Sequence, residues 1–175
     1  MTKQPFVRKV FGVKTPDPLD ATDWLLLAEL QRDGRLSFNE LARRVHLSAP
    51  AVAERVRRME ESGVIAGYAA RLDPAKVGHP LLAFVLMRCS AGRCLLRTGS
   101  SDEFPEVVEV HKLSSEHCAL LKIRAASLGH LEGVLEAVGG HGELRTHIVL
   151  STQYEGRPLD APQAERPVTR AERWN

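Results

Sequence analysis

The 175-residue sequence has few cysteines, few aromatic residues and no long apolar run. Its longest apolar runs, such as residues 81–87, are far shorter than the roughly 20 residues that a membrane-spanning helix needs. The amino terminus has no apolar stretch followed by a cleavage site, so we expect no secretory signal. Three cysteines are an odd number, which argues against a disulfide scaffold and fits a reducing cytoplasm. The sequence therefore predicts neither a membrane protein nor a disulfide-rich secreted domain.

The chain also lacks a strong charge of either sign, because 24 Lys and Arg residues stand against 22 Asp and Glu residues. The resulting net charge of +2 is too small to indicate nucleic-acid binding by itself, so that function has to rest on where the charges lie. Hydrophobic residues make up 43% of the chain, which is enough for a core and excludes wholesale disorder.

Sequence patterns of catalysis and metal binding are missing as well. No glycine-rich phosphate loop and no nucleophile-elbow spacing occur, so we expect no enzyme and no cofactor. The spacing of Cys89, Cys94 and Cys118 matches no strong metal-binding pattern, so we expect no metal site. The cysteines are predicted to be small buried hydrophobic residues.

Prolines and charge divide the chain into four segments. Residues 1–18 hold three prolines and a net charge of +3, which predicts a flexible basic arm or an ordinary frayed terminus. Residues 19–80 form a predicted helical domain with a linker strand or wing, and residues 81–155 a predicted domain of strands and helices. Residues 156–175 hold three more prolines and balanced charge, which predicts a disordered tail.

Three helices are predicted before residue 63. Asp20 or Thr22 can cap the first helix, and Ser37 precedes the second with the spacing of a capping box. Ser48 is a predicted N-cap of the third helix, in which Val52, Val56 and Met59 form a narrow buried stripe. Two helices joined by a short turn behind a first helix follow the helix-turn-helix plan.

The third helix is the predicted recognition helix, because a major groove accepts one α-helix and is usually read from its N-terminal half. The methyl group of Ala51 can contact thymine, Glu54 can accept a hydrogen bond from cytosine, and the arginines can reach phosphates or guanine. The candidate DNA contacts are Arg43, Arg44, Ser48, Pro50, Ala51, Glu54, Arg55, Arg57 and Arg58.

A different function remains open for the same helices. Residues 20–73 carry eight arginines and nine acidic residues, so their net charge is −1, and a three-helix unit with such a mixed surface could also be a protein-binding module. The low charge also predicts modest non-specific affinity for each subunit, so useful DNA binding would need a dimer or a larger assembly.

The second half of the chain changes to the period of strands. Strands are predicted at residues 81–89, 106–113, 118–124 and 146–152, with a helix before the last strand. If residues 93–103 supply another helix, the order is βαββαβ, which is a ferredoxin-like sandwich. The predicted fold class is therefore α+β, with an N-terminal winged helix-turn-helix joined to a C-terminal ferredoxin-like domain.

Two stretches of the sequence carry a resemblance to a known family. The string DGRLS…ELARRV.LS…V..RVRR.EE.GVI.GY resembles the DNA-binding half of the Lrp/AsnC family of bacterial and archaeal transcription regulators. The strings PEVVEVHKLSSEHCALLKIR and LRTHIVLST resemble that family's ligand-sensing domain. The resemblance covers about residues 19–155. It implies binding to double-stranded DNA, a homodimer built through the sensing domains that assembles to a tetramer or octamer, and a small effector, usually an amino acid.

The resemblance also implies an effector loop between the second and third strands of the sensing domain. In the family pattern this loop holds a glycine and an aspartate, but this chain has Ser115 and Cys118 at those positions. The glycine's backbone freedom and a carboxylate that can pair with an amino group are both lost. Either the effector differs or the protein needs none. The candidate effector residues are Ser114, Ser115, Glu116, His117, Cys118 and Thr146.

We therefore expect a cytoplasmic, sequence-specific DNA-binding transcription regulator of this type, modulated by a small molecule such as an amino acid. One alternative is an effector-independent architectural DNA-binding member of the same family. Another, from a different class, is a small-molecule-binding protein whose helical unit contacts another protein.

Overall fold

A computed structural model describes residues 18–90, Leu95 and residues 103–162 of the chain. These residues form two compact units, one containing residues 18–69 and 154–162 and the other residues 70–153. The helical unit holds α1 (Ala21–Arg32), α2 (Phe38–Val45) and α3 (Ala49–Glu61). The sheet unit holds β1 (Leu81–Cys89), β2 (Val107–Lys112), β3 (Ala119–Ala125), α4 (Leu128–Gly139) and β4 (Gly142–Ile148).

Side-chain caps start all three helices of the helical unit. Asp20, and not Thr22, caps α1 in a capping box with Asp23, and Ser37 forms the predicted capping box at the start of α2. The Ser48 hydroxyl accepts a hydrogen bond from the amide of Ala51 at 3.4 Å, which confirms the predicted N-cap of α3. These bonds satisfy amide donors that the first turn of a helix leaves without a partner.

A buried cluster joins the three helices. The predicted stripe of α3 is confirmed, because Val52, Val56 and Met59 are each at most 1% exposed. They pack with Leu26 of α1 and Leu41 of α2, which are fully buried. Each helix thus has one apolar face that the other two cover.

His46 makes the turn between α2 and α3. It is the C-cap of α2, and its φ of 56° and ψ of 44° lie in the left-handed region. That conformation is costly for a residue with a Cβ atom, and helix ends with this geometry favour glycine. The amide of the next residue, Leu47, donates a hydrogen bond back to the carbonyl of Ala42 in α2, which keeps the turn short.

The expected linker strand or wing of this domain is not found as a strand, because residues 64–72, which follow α3, have no strand assignment. A strand needs a neighbour for its amide and carbonyl groups, and no described strand pairs with this segment. The described part of the tail, residues 156–162, is exposed and contains no helix or strand. The side-chain amide of Gln31 exchanges two hydrogen bonds, of 2.8 and 3.0 Å, with the main chain of Leu159.

The sheet unit is a four-stranded antiparallel sheet in the order β2-β3-β1-β4. The α+β fold class is confirmed, and the strand order is that of a ferredoxin-like fold. The predicted helix at residues 93–103 lies outside the described residues, apart from Leu95, which is helical and buried, and Glu103. The buried core lies between the sheet and α4 and contains Ala83, Val85, Met87, Leu121, Ile123, Leu131, Val134 and Val138.

Two details of the strands differ from the prediction. The last strand spans Gly142–Ile148 instead of residues 146–152. It starts early because Gly142 has no side chain, and a Cβ there would lie 2.4 Å from the Arg88 carbonyl oxygen of β1. The second strand spans Val107–Lys112 instead of residues 106–113, and the register of its pairing with β3 shifts between Val107 and Glu109. A β-bulge of this kind breaks the alternation of side chains along a strand.

The cysteines also differ from the prediction, because Cys89 and Cys118 are joined by a disulfide. Their Cα atoms lie 6.1 Å apart, within the usual range for bonded cysteines. The pairing of Met87 with Ala119 brings the end of β1 beside the residue that precedes β3. An odd cysteine count cannot reveal that proximity. Cys94 lies outside the described residues.

Among the described helices of both units, none is long and apolar enough to cross a membrane.

Replacing His46 by glycine should stabilise the protein. The His46→Gly variant removes the Cβ atom from a left-handed residue, so we expect the free energy of unfolding to rise by about 0.5–1 kcal/mol. Urea unfolding followed by circular dichroism measures the change. The matched control is Arg43→Gly inside α2, which should lose about 1 kcal/mol because glycine is a poor helix former. Equal losses in both variants would contradict the assignment of strain to His46.

Candidate nucleic-acid interface

The start of α3 is accessible and carries small side chains. Ser48 and Pro50 are exposed and Ala51 is half-buried, so the first turn can approach another surface closely. The Ser48 hydroxyl accepts the bond from the Ala51 amide, and its own hydrogen stays available to donate. A helix N-terminus of this kind attracts phosphate groups because its amides and its dipole are positive.

Two of the predicted DNA-contacting arginines bind a carboxylate that the sequence analysis did not single out. Asp23 of α1 is 1% exposed, and its two carboxylate oxygens lie 2.8 Å from Nη1 of Arg55 and 2.9 Å from Nη2 of Arg58. Asp20 adds a second ion pair to Arg55, at 2.7 Å. We call these four residues the Asp23 cluster. It ties the start of α1 to the middle of α3.

The same cluster lowers the pKa of Asp20, whose side chain is 51% exposed. The amide of Asp23 donates to the Asp20 carboxylate at 2.8 Å, and Arg55 adds an ion pair. Both contacts favour the charged form, so the pKa of Asp20 lies below its ordinary value. The pKa of Arg55 is raised above its ordinary value, most strongly by the hydrogen bond to Asp20 and next by that to Asp23.

Arg57 has different partners from its neighbours on α3. One guanidinium nitrogen lies 2.5 Å from Glu54, another bonds to Glu61, and all three side chains are more than half exposed. Glu54 and Glu61 raise the pKa of Arg57 above its ordinary value. Ion pairs this exposed contribute little to stability, so Arg57 can exchange its carboxylate partners for a phosphate or a base.

The two arginines at the end of α2 also differ from one another. Arg44 lies 2.5 Å from Glu29 of α1, and this carboxylate raises the pKa of Arg44. Arg43 is exposed and forms no ion pair with any described residue. The structure therefore places all nine predicted contacts on α2, α3 and their turn. Three of them, Arg44, Arg55 and Arg58, form ion pairs with acidic residues at α1 or its N-cap.

The predicted effector loop is a compact turn between β2 and β3. The amide of Leu113 donates to the carbonyl of Cys118 at 3.0 Å and closes the loop. Inside it, the Ser115 hydroxyl donates to the carbonyl of His117 at 3.1 Å, and Nδ1 of His117 lies 3.6 Å from the Glu116 carboxylate. The five loop candidates are thus together. Thr146 is not among them, because it pairs with Val85 and β1 separates it from β3.

Comparison with known proteins assigns both units. The model of the AsnC-type helix-turn-helix domain matches residues 19–60, and that of the Lrp/AsnC ligand-binding domain matches residues 82–159. The chain belongs to the Lrp/AsnC family. The resemblance noted in the sequence is therefore confirmed, and the chain is a DNA-binding transcription regulator of this type with a ligand-binding domain.

Individual relatives agree with the family assignment. The transcriptional regulator LrpA of Mycobacterium tuberculosis is 37% identical over 150 residues, which are 81% of this chain and 96% of that protein. The regulator YezC of Bacillus subtilis is 36% identical over 134 residues, which are 77% of this chain and 95% of that protein. Among solved structures, a feast or famine regulatory protein of M. tuberculosis in complex with L-methionine matches this fold with a TM-score of 0.74 and 35% sequence identity. The match covers 82% of this chain and 100% of that protein chain. These relatives are transcriptional regulators and not enzymes.

Removing the Asp23 carboxylate should destabilise the helical unit. In Asp23→Asn the carboxylate that binds Arg55 and Arg58 becomes a neutral amide, so we expect a loss of about 2 kcal/mol in the free energy of unfolding. The expected loss of stability is moderate because the guanidinium groups of both arginines can still be hydrated. Urea unfolding measures the change, and Asp160→Asn in the exposed tail is the control. Equal stability of Asp23→Asn and the control would refute this role for the cluster.

Proposed function

We propose that α3 reads the major groove of double-stranded DNA as part of a homodimer. The observation that carries this proposal is the exposed surface of α3, where the small residues of the first turn are followed by Glu54 and Arg57. A helix must come close to base edges before side chains of this length can reach them. Ser48 and Pro50 leave the space for that approach, and no larger side chain precedes Glu54 on this surface.

Among the arginines, we assign the reading of bases to Arg57. Its two carboxylate partners are exposed, so exchanging them for guanine costs little desolvation. Its release would also free Glu54, which can accept a hydrogen bond from the amino group of cytosine. Arg55 and Arg58 keep Asp23 as a partner, because a buried carboxylate without a counter-charge is costly. A guanidinium has five N–H donors, so Arg58 can still add a phosphate contact, as can Arg43 and Arg44.

The proposed dimer forms through the sheet unit. Val85 and Met87 of β1 point into the core under α4, so the alternating residues Phe84 and Leu86 lie on the opposite face. Both are only half-buried, and Leu120 of β3 pairs with Leu86 on that same face. A second subunit would bury this apolar face and present two copies of α3 to one duplex. Further association to a tetramer or octamer follows the family pattern.

The proposed effector is an amino acid bound at residues 114–118. Support comes from the M. tuberculosis structure that holds L-methionine, a protein of the same fold over 82% of this chain. Because cysteine stands where the family pattern has an aspartate, Glu116 is the remaining carboxylate of the loop that can pair with an α-amino group. The protein would act in the cytoplasm, where the DNA of a bacterium or archaeon lies. An effector-independent architectural role is the second candidate, favoured by the loss of that aspartate.

Arg57→Ala should weaken binding to DNA from upstream of the protein's own gene. We expect the Kd to rise by about 5- to 30-fold, since a lost base contact costs about 1–2 kcal/mol. Fluorescence anisotropy at fixed salt measures the Kd. Arg32→Ala is the matched control, because it removes the same charge from α1. If the two variants bind equally well, Arg57 is not a contact. If the wild-type Kd does not change with salt, the DNA-binding proposal itself fails.

An amino acid that binds the loop should raise the melting temperature of the full-length protein. At a concentration about 100-fold above its Kd, we expect a rise of several degrees, because the ligand binds the folded state alone. L-Methionine is the first compound to test, followed by the other nineteen. Glu116→Gln should reduce the rise, whereas Glu132→Gln on α4 should not. No rise with any amino acid would favour the effector-independent role.

A further inference from the structure

Two cysteines lie side by side where the effector loop meets the sheet. Cys89 is the last residue of β1, and Cys118 is the residue before β3. The antiparallel pairing of Met87 with Ala119 brings the two chain segments together, and the Cα atoms of the cysteines lie 6.1 Å apart, within the range of bonded cysteines. Both residues are half-buried, which allows small oxidants and reductants to reach them.

The disulfide fixes the residue that closes the effector loop. The carbonyl of Cys118 accepts from the amide of Leu113, and its own amide donates to the carbonyl of Met87 at 2.9 Å. Its Sγ atom accepts from the amide of Cys89 at 3.2 Å. In the oxidised protein a covalent bond adds to these contacts, whereas the reduced protein has hydrogen bonds alone at this point. The oxidation state of the pair therefore changes the contacts that hold Cys118, the last residue of the loop.

We propose that Cys89 and Cys118 form a reversible thiol–disulfide site through which an oxidant of the hydroperoxide class acts on the effector loop. Proteins that work where DNA lies meet thiol reductants, and disulfides in that compartment are usually transient and redox-sensing. The further consequence, a change in DNA affinity with the state of this site, rests on the proposed function. One cysteine of the pair, Cys118, stands at the position where the family pattern has an aspartate, so its oxidation would alter the loop at that position.

The oxidation balances with a hydroperoxide as the sole co-reactant. The thiolate of one cysteine attacks the terminal peroxide oxygen, so that an S–O bond forms, the O–O bond breaks and, after protonation, an alcohol leaves, or water when the oxidant is hydrogen peroxide. The second cysteine attacks the sulfenic sulfur, the S–S bond forms, the S–O bond breaks and a water molecule leaves. With hydrogen peroxide, two thiols lose two electrons and two protons, and the peroxide becomes two waters. A dithiol reverses the bond by two exchange steps.

Peptide mapping of the full-length protein tests the site itself. The protein is reduced with dithiothreitol, freed of it, treated with hydrogen peroxide in small excess, alkylated and digested for mass spectrometry. We expect a cross-link between the peptides of Cys89 and Cys118, a melting temperature higher by about 10 °C, and reversal of both changes by dithiothreitol. Cys94→Ser should keep the cross-link, and Cys89→Ser and Cys118→Ser should lose it. The absence of this cross-link, or a cross-link that dithiothreitol cannot open in the folded protein, would overturn the proposal.

Anisotropy with the upstream DNA fragment tests the consequence. We expect the Kd of the oxidised and reduced proteins to differ by about fivefold or more, in the wild type and in Cys94→Ser alike. The difference should vanish in Cys89→Ser and Cys118→Ser. Equal affinities in the two states, with DNA binding intact, would overturn the regulatory role. If neither state binds DNA, the proposed function fails, and the peptide map still decides whether the redox site exists.

Discussion

The buried carboxylate of Asp23 is the constraint on which the DNA-facing part of the molecule depends. It is 1% exposed, and it binds Arg55 and Arg58 while its own amide caps α1 through Asp20. Burying a charge is costly unless ion pairs and hydrogen bonds satisfy it, so α1 and α3 have to meet at this point. The apolar cluster around Leu26 gives the helices their common core. The ion pairs add a directional requirement, because two guanidinium groups of α3 must face α1.

This constraint divides the charges of α3 between two roles. Arg55 and Arg58 serve the inside of the helical unit, whereas Arg57 has exposed carboxylate partners that it can exchange at small cost. A net charge of +2 over 175 residues leaves little general attraction for DNA. Binding would then depend on a few well-placed contacts and on their repetition by symmetry. In the proposed dimer the sheet unit would supply this repetition, because the face that α4 does not cover carries Phe84 and Leu86.

The effector loop shows how a family fold can carry different local chemistry. Antiparallel pairing of β2 and β3 holds both ends of the loop at one place in the sheet, whichever side chains the loop carries. Here the loop has serine and cysteine where the family pattern has glycine and aspartate. Cys118 has a second cysteine beside it, at the end of β1. The sheet fixes the position of this residue and its side chain fixes the reactivity, which is why we place the proposed thiol chemistry here.

Periodicity and capping residues in the sequence determined the three helices of the helical unit, the buried stripe of α3 and the starts of α2 and α3, because all of these depend on residues close together in the chain. The strands β1 and β3 followed from the same local reasoning. The Asp23 cluster, the Cys89–Cys118 disulfide and the early start of β4 join residues about 30 or more positions apart. Only the tertiary structure decided these features, because packing and register determine which distant side chains meet. The bulge in β2 belongs with them, because the pairing with β3 decides where an alternating strand slips by one residue.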